Sequence, residues 1–300
     1  MNIGILLAIM AGALFGALSL VYKYAEQQKS RSAQFTFVLS LTGAIITFTK
    51  SFFENTTWDL PALWILGIAM GVIMVVGIYI LMAANRLGPV YTTWTVVNIS
   101  FLFAIFLSAV FLKEKLLCVD PINLFLFGIM LFLFYRGMKS GIATGQVPKE
   151  SVLHIVTLLG VFLTNGVATF AGKIKYTLFA DTNTSAYAAI FYLVSALITL
   201  FIILGGKRKG PIFTAAEIKA GAMGGGIISI ATILFLSAMI LPAAAVFTIT
   251  QGVSMIGGVA LTTFVGKERL NKWMVLGIVM GLIVLFAVVF RDQTSVWLCR

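Results

Sequence analysis

Apolar residues run through this chain in long stretches, broken by short clusters of charge, proline and polar residues. Ten stretches can be marked, at 3–22, 33–53, 62–85, 88–112, 119–138, 152–172, 184–205, 220–240, 242–265 and 273–291. Each is close to the roughly 20 residues that carry an α-helix across the hydrocarbon core of a bilayer. The pattern predicts an all-α integral membrane protein with ten transmembrane helices. Two connections are very short, at Leu87-Gly88-Pro89 and at Leu241-Pro242, and predict antiparallel helix hairpins. The longest polar gap, from Lys139 to Ser151, contains Gly141, Gly145 and Pro148 and falls near the middle of the chain.

Composition narrows the class. Of 300 residues, 60% are hydrophobic and 10% are charged, where a soluble domain carries about 25% charge. Mean hydropathy is +1.06. These values exclude a globular cytosolic enzyme, a disordered tail and a secreted disulfide scaffold. Ten helices use roughly 200 residues, which leaves no length for a soluble domain. The net charge of +11 lies in the gaps between apolar runs. It therefore reads as contact with anionic headgroups and control of topology, not as a nucleic-acid site. Cys118 and Cys299 lie in a loop and in the tail, so no disulfide framework is expected, and no metal-ligand spacing or cofactor motif occurs. The run from Ile3 reads as a first span and not as a removed signal peptide.

The ten acidic residues all fall at span ends or outside spans, as expected where a carboxylate at mid-bilayer costs several kcal/mol unless paired. The chain also repeats itself. Displaced by 154 positions, Gly67, Gly71, Ala84 and Leu87 meet Gly221, Gly225, Ala238 and Leu241. Ser100 meets Ser254, and Lys113-Glu114-Lys115-Leu116 meets Lys267-Glu268-Arg269-Leu270. At a displacement of 150, Gly16 and Lys23 meet Gly166 and Lys173; at 153, Ser32-Ala33 meets Ser185-Ala186. The reading is a duplication: residues 1–138 form one five-helix unit, 139–151 a linker and 152–300 a second unit. Five crossings per unit place the second on the opposite face, so the repeats are inverted, an architecture common among secondary transporters.

The stretch from Ala84 to Pro89, followed by a helix ending in Lys113-Glu114-Lys115-Leu116, and its second copy from Ala238 to Pro242 ending in Lys267-Glu268-Arg269-Leu270, resemble the drug/metabolite transporter superfamily. Within it they are most similar to the EamA-like ten-helix transporters. The resemblance spans essentially the whole chain. It implies an inverted-repeat carrier with a central cavity and alternating access, acting on small organic molecules. The small four-helix members couple protons through a glutamate inside the first helix; here no span carries Asp or Glu away from its ends, which argues against carboxylate-based coupling.

Polar residues inside spans must find partners or line a cavity. The candidate cavity residues are Ser19, Trp94, Asn98, Asn165, Thr169, Tyr187, Gln251 and Ser254. Asn98 and Gln251 occupy near-equivalent places in the two units, and Asn165 and Thr169 share one helical face. Trp94 with Tyr91, and Tyr187 with Phe191, are at helical spacing, where aromatic faces can meet a cation. Lys23 and Lys173 end the first helix of each unit and are candidate gating or anion-attracting residues; snorkelling to headgroups is their structural alternative. Gly67, Gly71 and Gly221 to Gly226 allow close helix approach. The expected function is secondary transport of a neutral or zwitterionic organic metabolite, with export favoured and protons or a counter-substrate as the energy source. The alternatives are an anion or sugar carrier using the two lysines, a lipid-modifying membrane enzyme and a non-transporting scaffold. The expected setting is a bacterial inner membrane, as monomer or homodimer. Orientation stays open: seven basic residues lie on the side of the termini and fourteen on the other, which places the termini outside, whereas the relatives keep theirs in the cytoplasm.

Overall fold

A computed structural model describes residues 3–54, 61–87, 90–141, 152–179, 182–206, 211–264, 271–290 and 295. The described residues are helical, with no strand. In chain order the helices are α1 (Ile3–Gln27), α2 (Ser32–Phe53), α3 (Pro61–Leu87), α4 (Val90–Ile99), α5 (Phe101–Phe111), α6 (Val119–Gly141), α7 (Val152–Leu178), α8 (Thr184–Gly205), α9 (Ala215–Ser237), α10 (Ala243–Phe264) and α11 (Lys272–Val289). A 3-10 turn, Ala238–Ile240, joins α9 to α10. Among the described residues nine helices are long and apolar enough to cross a bilayer; α10 contributes a shorter apolar stretch, Ala243–Gly258. The protein is an all-α, multi-pass membrane protein.

Polar side chains define where the helices begin. Asn183 caps α8 by accepting from the Ser185 amide at 2.6 Å, and Asn271 caps α11 by accepting from Trp273 and Met274. Thr214 and Glu217 form a reciprocal capping box at α9. Glu217, 2% exposed in its side chain, also takes a two-pronged ion pair from Arg31 at 2.8 and 2.9 Å. This pair ties the start of α2 to the start of α9, and the Glu217 hydrogen bond holds the Arg31 guanidinium further toward its charged form.

The structure departs from the predicted spans in two places. The stretch expected as one helix over 88–112 is interrupted at Ser100, which separates α4 from α5. The Ser100 hydroxyl donates to the Val97 carbonyl at 2.6 Å, and Asn165 of α7 donates to the same carbonyl at 3.1 Å and to Ser100 Oγ at 2.6 Å. Side chains inserted into the backbone ladder in this way break its regularity. Helices α1 and α7 also run further than their predicted ends at 22 and 172, to Gln27 and Leu178. Cys118 is disulfide-bonded, against the expectation from its loop position, and no free cysteine occurs among the described residues. The second KE block (267–270), Pro89, Cys299 and the acids Asp59, Glu150, Asp181, Glu268 and Asp292 lie outside the described residues. Of the described acids, Glu26, Asp120 and Glu217 fall in end turns, and Glu54 and Glu114 just beyond a helix.

The packing partners exchange when the two halves are swapped. Helix α1 lies against α9 and α10, while α7 lies against α3, α4 and α5; α2 lies against α8 and α9, while α8 lies against α2 and α3; α6 pairs with α11. Missing side chains permit the closest approaches. A Cβ on Gly16 would stand 2.8 Å from the Ser254 carbonyl oxygen, and one on Gly166 would stand 2.9 Å from that of Ser100. Likewise a Cβ on Gly71 would meet the Phe191 carbonyl at 2.8 Å, and one on Gly225 the Leu39 carbonyl at 2.4 Å. Glycine at these four positions lets backbone meet backbone where any larger residue would clash.

Candidate solute cavity

A cavity of about 210 Å3 opens between α1 and α3 of the first half and α7, α8 and α9 of the second. Its walls are helical stripes. Met70, Met74 and Ile78 repeat down α3, and Ile228, Thr232 and Phe235 down α9, each at the three- and four-residue spacing of one helix face. Six aromatic rings converge on it: Phe15, Tyr22, Tyr187, Phe191, Tyr192 and Phe235. Phe15 meets Phe235 edge-on at 5.8 Å, Tyr187 meets Phe191 at 5.4 Å, and Phe191 tilts against Tyr192 at 4.4 Å. Gly77 and Gly172 supply wall without side chain. No Lys, Arg, His, Asp or Glu is among the described lining residues.

The polar groups of the wall are few, and most of their hydrogens are already engaged. Thr164 donates to the Gly160 carbonyl at 2.7 Å and Thr169 to that of Asn165 at 2.8 Å. The Asn165 amide donates to Val97 and Ser100. Tyr192 and Thr232 share one hydrogen bond of 3.0 Å. The Tyr187 hydroxyl is buried and has no partner among the described residues.

Three of the eight cavity residues expected from sequence, Asn165, Thr169 and Tyr187, stand at this wall. The other five lie elsewhere. Ser19 donates to the Gly16 carbonyl at 2.7 Å. Trp94 stands behind Tyr22, with ring centroids 6.3 Å apart, and its indole nitrogen is buried without a hydrogen-bond partner among the described residues. Asn98 donates to the Trp94 carbonyl at 2.7 Å inside α4. Gln251 and Ser254 are buried on α10, Ser254 in the close contact with Gly16. Tyr91 falls among the residues whose side chains are not described. Reasoning from polarity alone passed over Phe15, Tyr22, Thr164 and Thr232. Tyr22 stood at the last position of the expected first span, where an aromatic reads as an interface anchor, and Thr232 was marked only by the stripe it forms with Ile228 and Phe235.

Lys173 stands away from the cavity wall, 4% exposed in its side chain, with Nζ 2.8 Å from Glu114 Oε1. It donates also to the carbonyls of Met239 and Leu241, at 3.1 and 2.8 Å. The other Glu114 oxygen accepts from the Ala243 amide at 3.0 Å, at the start of α10. The local backbone sets the direction of Glu114. Lys113 adopts φ 53°, the left-handed form that ends a helix, and the Glu114 amide closes back on the Ser108 carbonyl. That turn aims Glu114 at the α9–α10 connection. One ion pair thus holds the carbonyl end of one helix and the amide end of the next, each in the sense the helix dipoles favour. Lys23, at the matching place on α1, is likewise not at the cavity wall.

At the same end of α2, Glu54 pairs with Lys50 and accepts from Asn183 at 2.7 Å. Burial pushes the Glu54 carboxyl up, but hydrogen bonds from Lys50, Asn183 and Ser185 outweigh it and hold the group below the usual carboxylate range. Among the described residues no group of three or more His, Cys, Asp or Glu is placed to hold a metal ion.

The cavity thus lies within a multi-pass helical membrane protein and, among the described residues, carries no charged lining. Residues 2–136 match the EamA-like transporter family. The match covers slightly less than half of the chain, and that part is similar to the EamA-like transporters, a family of membrane transporters of small molecules. A solved chain described only as the crystal structure of a protein is similar with a TM-score of 0.75, over 95% of this chain and 96% of its own, at 15% identity. That likeness shows the fold alone. No curated protein matches the chain.

Proposed function

We propose that the protein is a secondary carrier that moves a small organic solute, neutral or zwitterionic, by alternating access, with export the favoured direction. The observation that carries this reading is the cavity: it lies between helices of both halves and is lined by aromatic, methionine and hydroxyl groups without an ionised side chain. Such a surface recognises a solute by shape, stacking and a few hydrogen bonds. In the reading, 1–138 and 152–300 are inverted repeats joined by 139–151, and the solute site lies at their interface. The exchange of packing partners and the paired glycine contacts support it. Protons or a counter-substrate supply the energy, and the setting is a bacterial inner membrane.

The Glu114–Lys173 pair belongs to the same reading as a gate. It closes the α9–α10 connection beside α7, and rocking one helix group against the other strains or opens this connection. Lys23 takes the matching role at the opposite mouth. The engagement of Lys173 by a carboxylate and two carbonyls argues against the anion-carrier alternative, because its charge is already neutralised.

The test is a thermal-shift screen of the purified protein against neutral amino acids, sugars, amines and organic acids, followed by uptake of the hit into proteoliposomes. A ligand bound in the cavity raises the melting temperature of the wild type and leaves that of Tyr187→Leu unmoved. Saturable uptake by Tyr187→Leu at the wild-type rate, after correction for folded protein, overturns the assignment.

A further inference from the structure

Resting on that cavity as the solute site, and replacing the neutral or zwitterionic head group of that reading, we infer a chemical class for the solute: an amine-bearing molecule of about single-ring size, selected against carboxylates. The wall offers more acceptors than donors. Its amide donors are engaged, since both hydrogen bonds from the Asn165 amide run to Val97 and Ser100. That geometry leaves Asn165 Oδ1, an acceptor, as the free end of the side chain. The Thr164 and Thr169 hydroxyls donate to backbone carbonyls and keep only acceptor capacity. Donors remain on the hydroxyls of Tyr22 and Tyr187 and on one of the Tyr192–Thr232 pair. Each of these oxygens accepts as well as it donates.

Six aromatic rings at the wall add the second term. Ring faces carry negative potential, attract cations by about 0.5 to 2 kcal/mol each and repel anions. The sulfurs of Met70 and Met74 are weak acceptors. A carboxylate in this cavity would lose water and gain no cation and no free amide donor, only the few neutral hydroxyl donors of Tyr22, Tyr187 and the Tyr192–Thr232 pair. An ammonium group would gain ring faces, Asn165 Oδ1 and threonine oxygens. A neutral amine or alcohol is tolerated between these limits. Size sets the rest. A cavity of about 210 Å3 exceeds the roughly 150 Å3 that admits benzene and falls short of the about 300 Å3 at which drug-sized pockets begin.

The experiment uses three probes with one phenyl ring and different heads: phenethylamine, phenethyl alcohol and 3-phenylpropanoate. Binding to the purified full-length chain is measured by calorimetry at neutral pH. The expected order is amine, then alcohol, then carboxylate, with the amine at least about ten-fold tighter than the carboxylate. Tyr187→Leu weakens the amine about ten-fold, and Tyr187→Phe, which keeps the ring face and the fold, weakens it only a few-fold. A carboxylate that binds as tightly as the amine, with binding lost in Tyr187→Leu, overturns the amine class and leaves the cavity reading standing. An amine that binds equally well to wild type, Tyr187→Leu and Asn165→Ala overturns the cavity reading itself. Failure of phenethylamine to bind at all also overturns the inference.

Discussion

Helices α2 and α8 occupy matching places in the two halves and are both 22 residues long. They pack on each other, with the hydroxyls of Ser40 and Ser195 2.8 Å apart. Their roles differ. Tyr187, Phe191 and Tyr192 of α8 stand at the cavity wall. The two helices superpose in extent at a displacement of 152, one less than the 153 of the Ser32-Ala33 match; at 152 the counterparts on α2 are Phe35, Leu39 and Ser40, which are as buried as the α8 residues but do not line the cavity. A similar contrast separates α1 from α7. Tyr22 projects a ring into the cavity where its counterpart, Gly172, offers only backbone. The glycine contacts that pack the halves are shared between them, whereas the groups available to a solute come from positions where the halves differ. Packing follows the proposed repeat, and the proposed recognition surface follows the departures from it.

The comparison can be broken most forcefully at the ion pair, which joins the two halves. Glu114→Ala leaves Lys173 buried without its carboxylate and should cost about 3 to 5 kcal/mol, read as a fall in melting temperature. Adding Lys173→Met should recover much of the loss; a double variant no better than the single one would mean that the pair is not what holds the α9–α10 connection. Next in size are the paired glycines. Gly71→Leu and Gly225→Leu should each destabilise by about 1 to 3 kcal/mol or more, because the first added carbon meets a carbonyl oxygen at 2.8 and 2.4 Å. Similar losses are expected at both sites, and a marked inequality in thermal unfolding would argue that the two contacts are not equivalent.

Smaller effects sharpen the functional contrast. Ser40→Ala should lower stability by about 1 kcal/mol without changing solute affinity. Tyr192→Phe should do the opposite, weakening binding several-fold with little change in melting temperature, since the ring stays in place. The smallest effect is electrostatic. The folded-state pKa of Glu54 is depressed, so its contribution is complete above the ordinary carboxylate range. It is lost as pH falls through the lowered value. Because the pair is more than a third exposed, the increment is small. Unfolding curves of Glu54→Gln should show a slightly flatter acid limb than the wild type, and an unchanged limb would remove Glu54 from the account.

Much of this architecture is legible in the residues. Helix placement follows from apolar length, and the described acids mark the ends because hydrocarbon excludes them. Gly16, Gly166, Gly71 and Gly225 could be paired by displacement alone, since a backbone contact demands glycine wherever it recurs. The cavity was legible only in part. Polarity pointed to Asn165, Thr169 and Tyr187, but the same signal in Ser19 and Asn98 reports hydrogen bonds within a helix, as the donation of Asn98 to Trp94 shows. Phe15 and Met74 carry no polar mark, and whether an apolar residue faces lipid, core or cavity depends on how the helices rotate against each other. The break at Ser100 was hidden for a related reason: it needs Asn165, 65 positions away in sequence, to reach the Val97 carbonyl.

The central claim is that one half's departures from the repeat, at α8, build the solute site. It is tested most directly by phenethylamine binding to Tyr187→Leu and Phe35→Leu, the two members of one matched pair, in calorimetry on folded, purified protein. The account predicts that Tyr187→Leu loses about ten-fold in affinity while Phe35→Leu binds as the wild type does, although its melting temperature falls. Equal loss in both variants, or loss in Phe35→Leu alone, would contradict it.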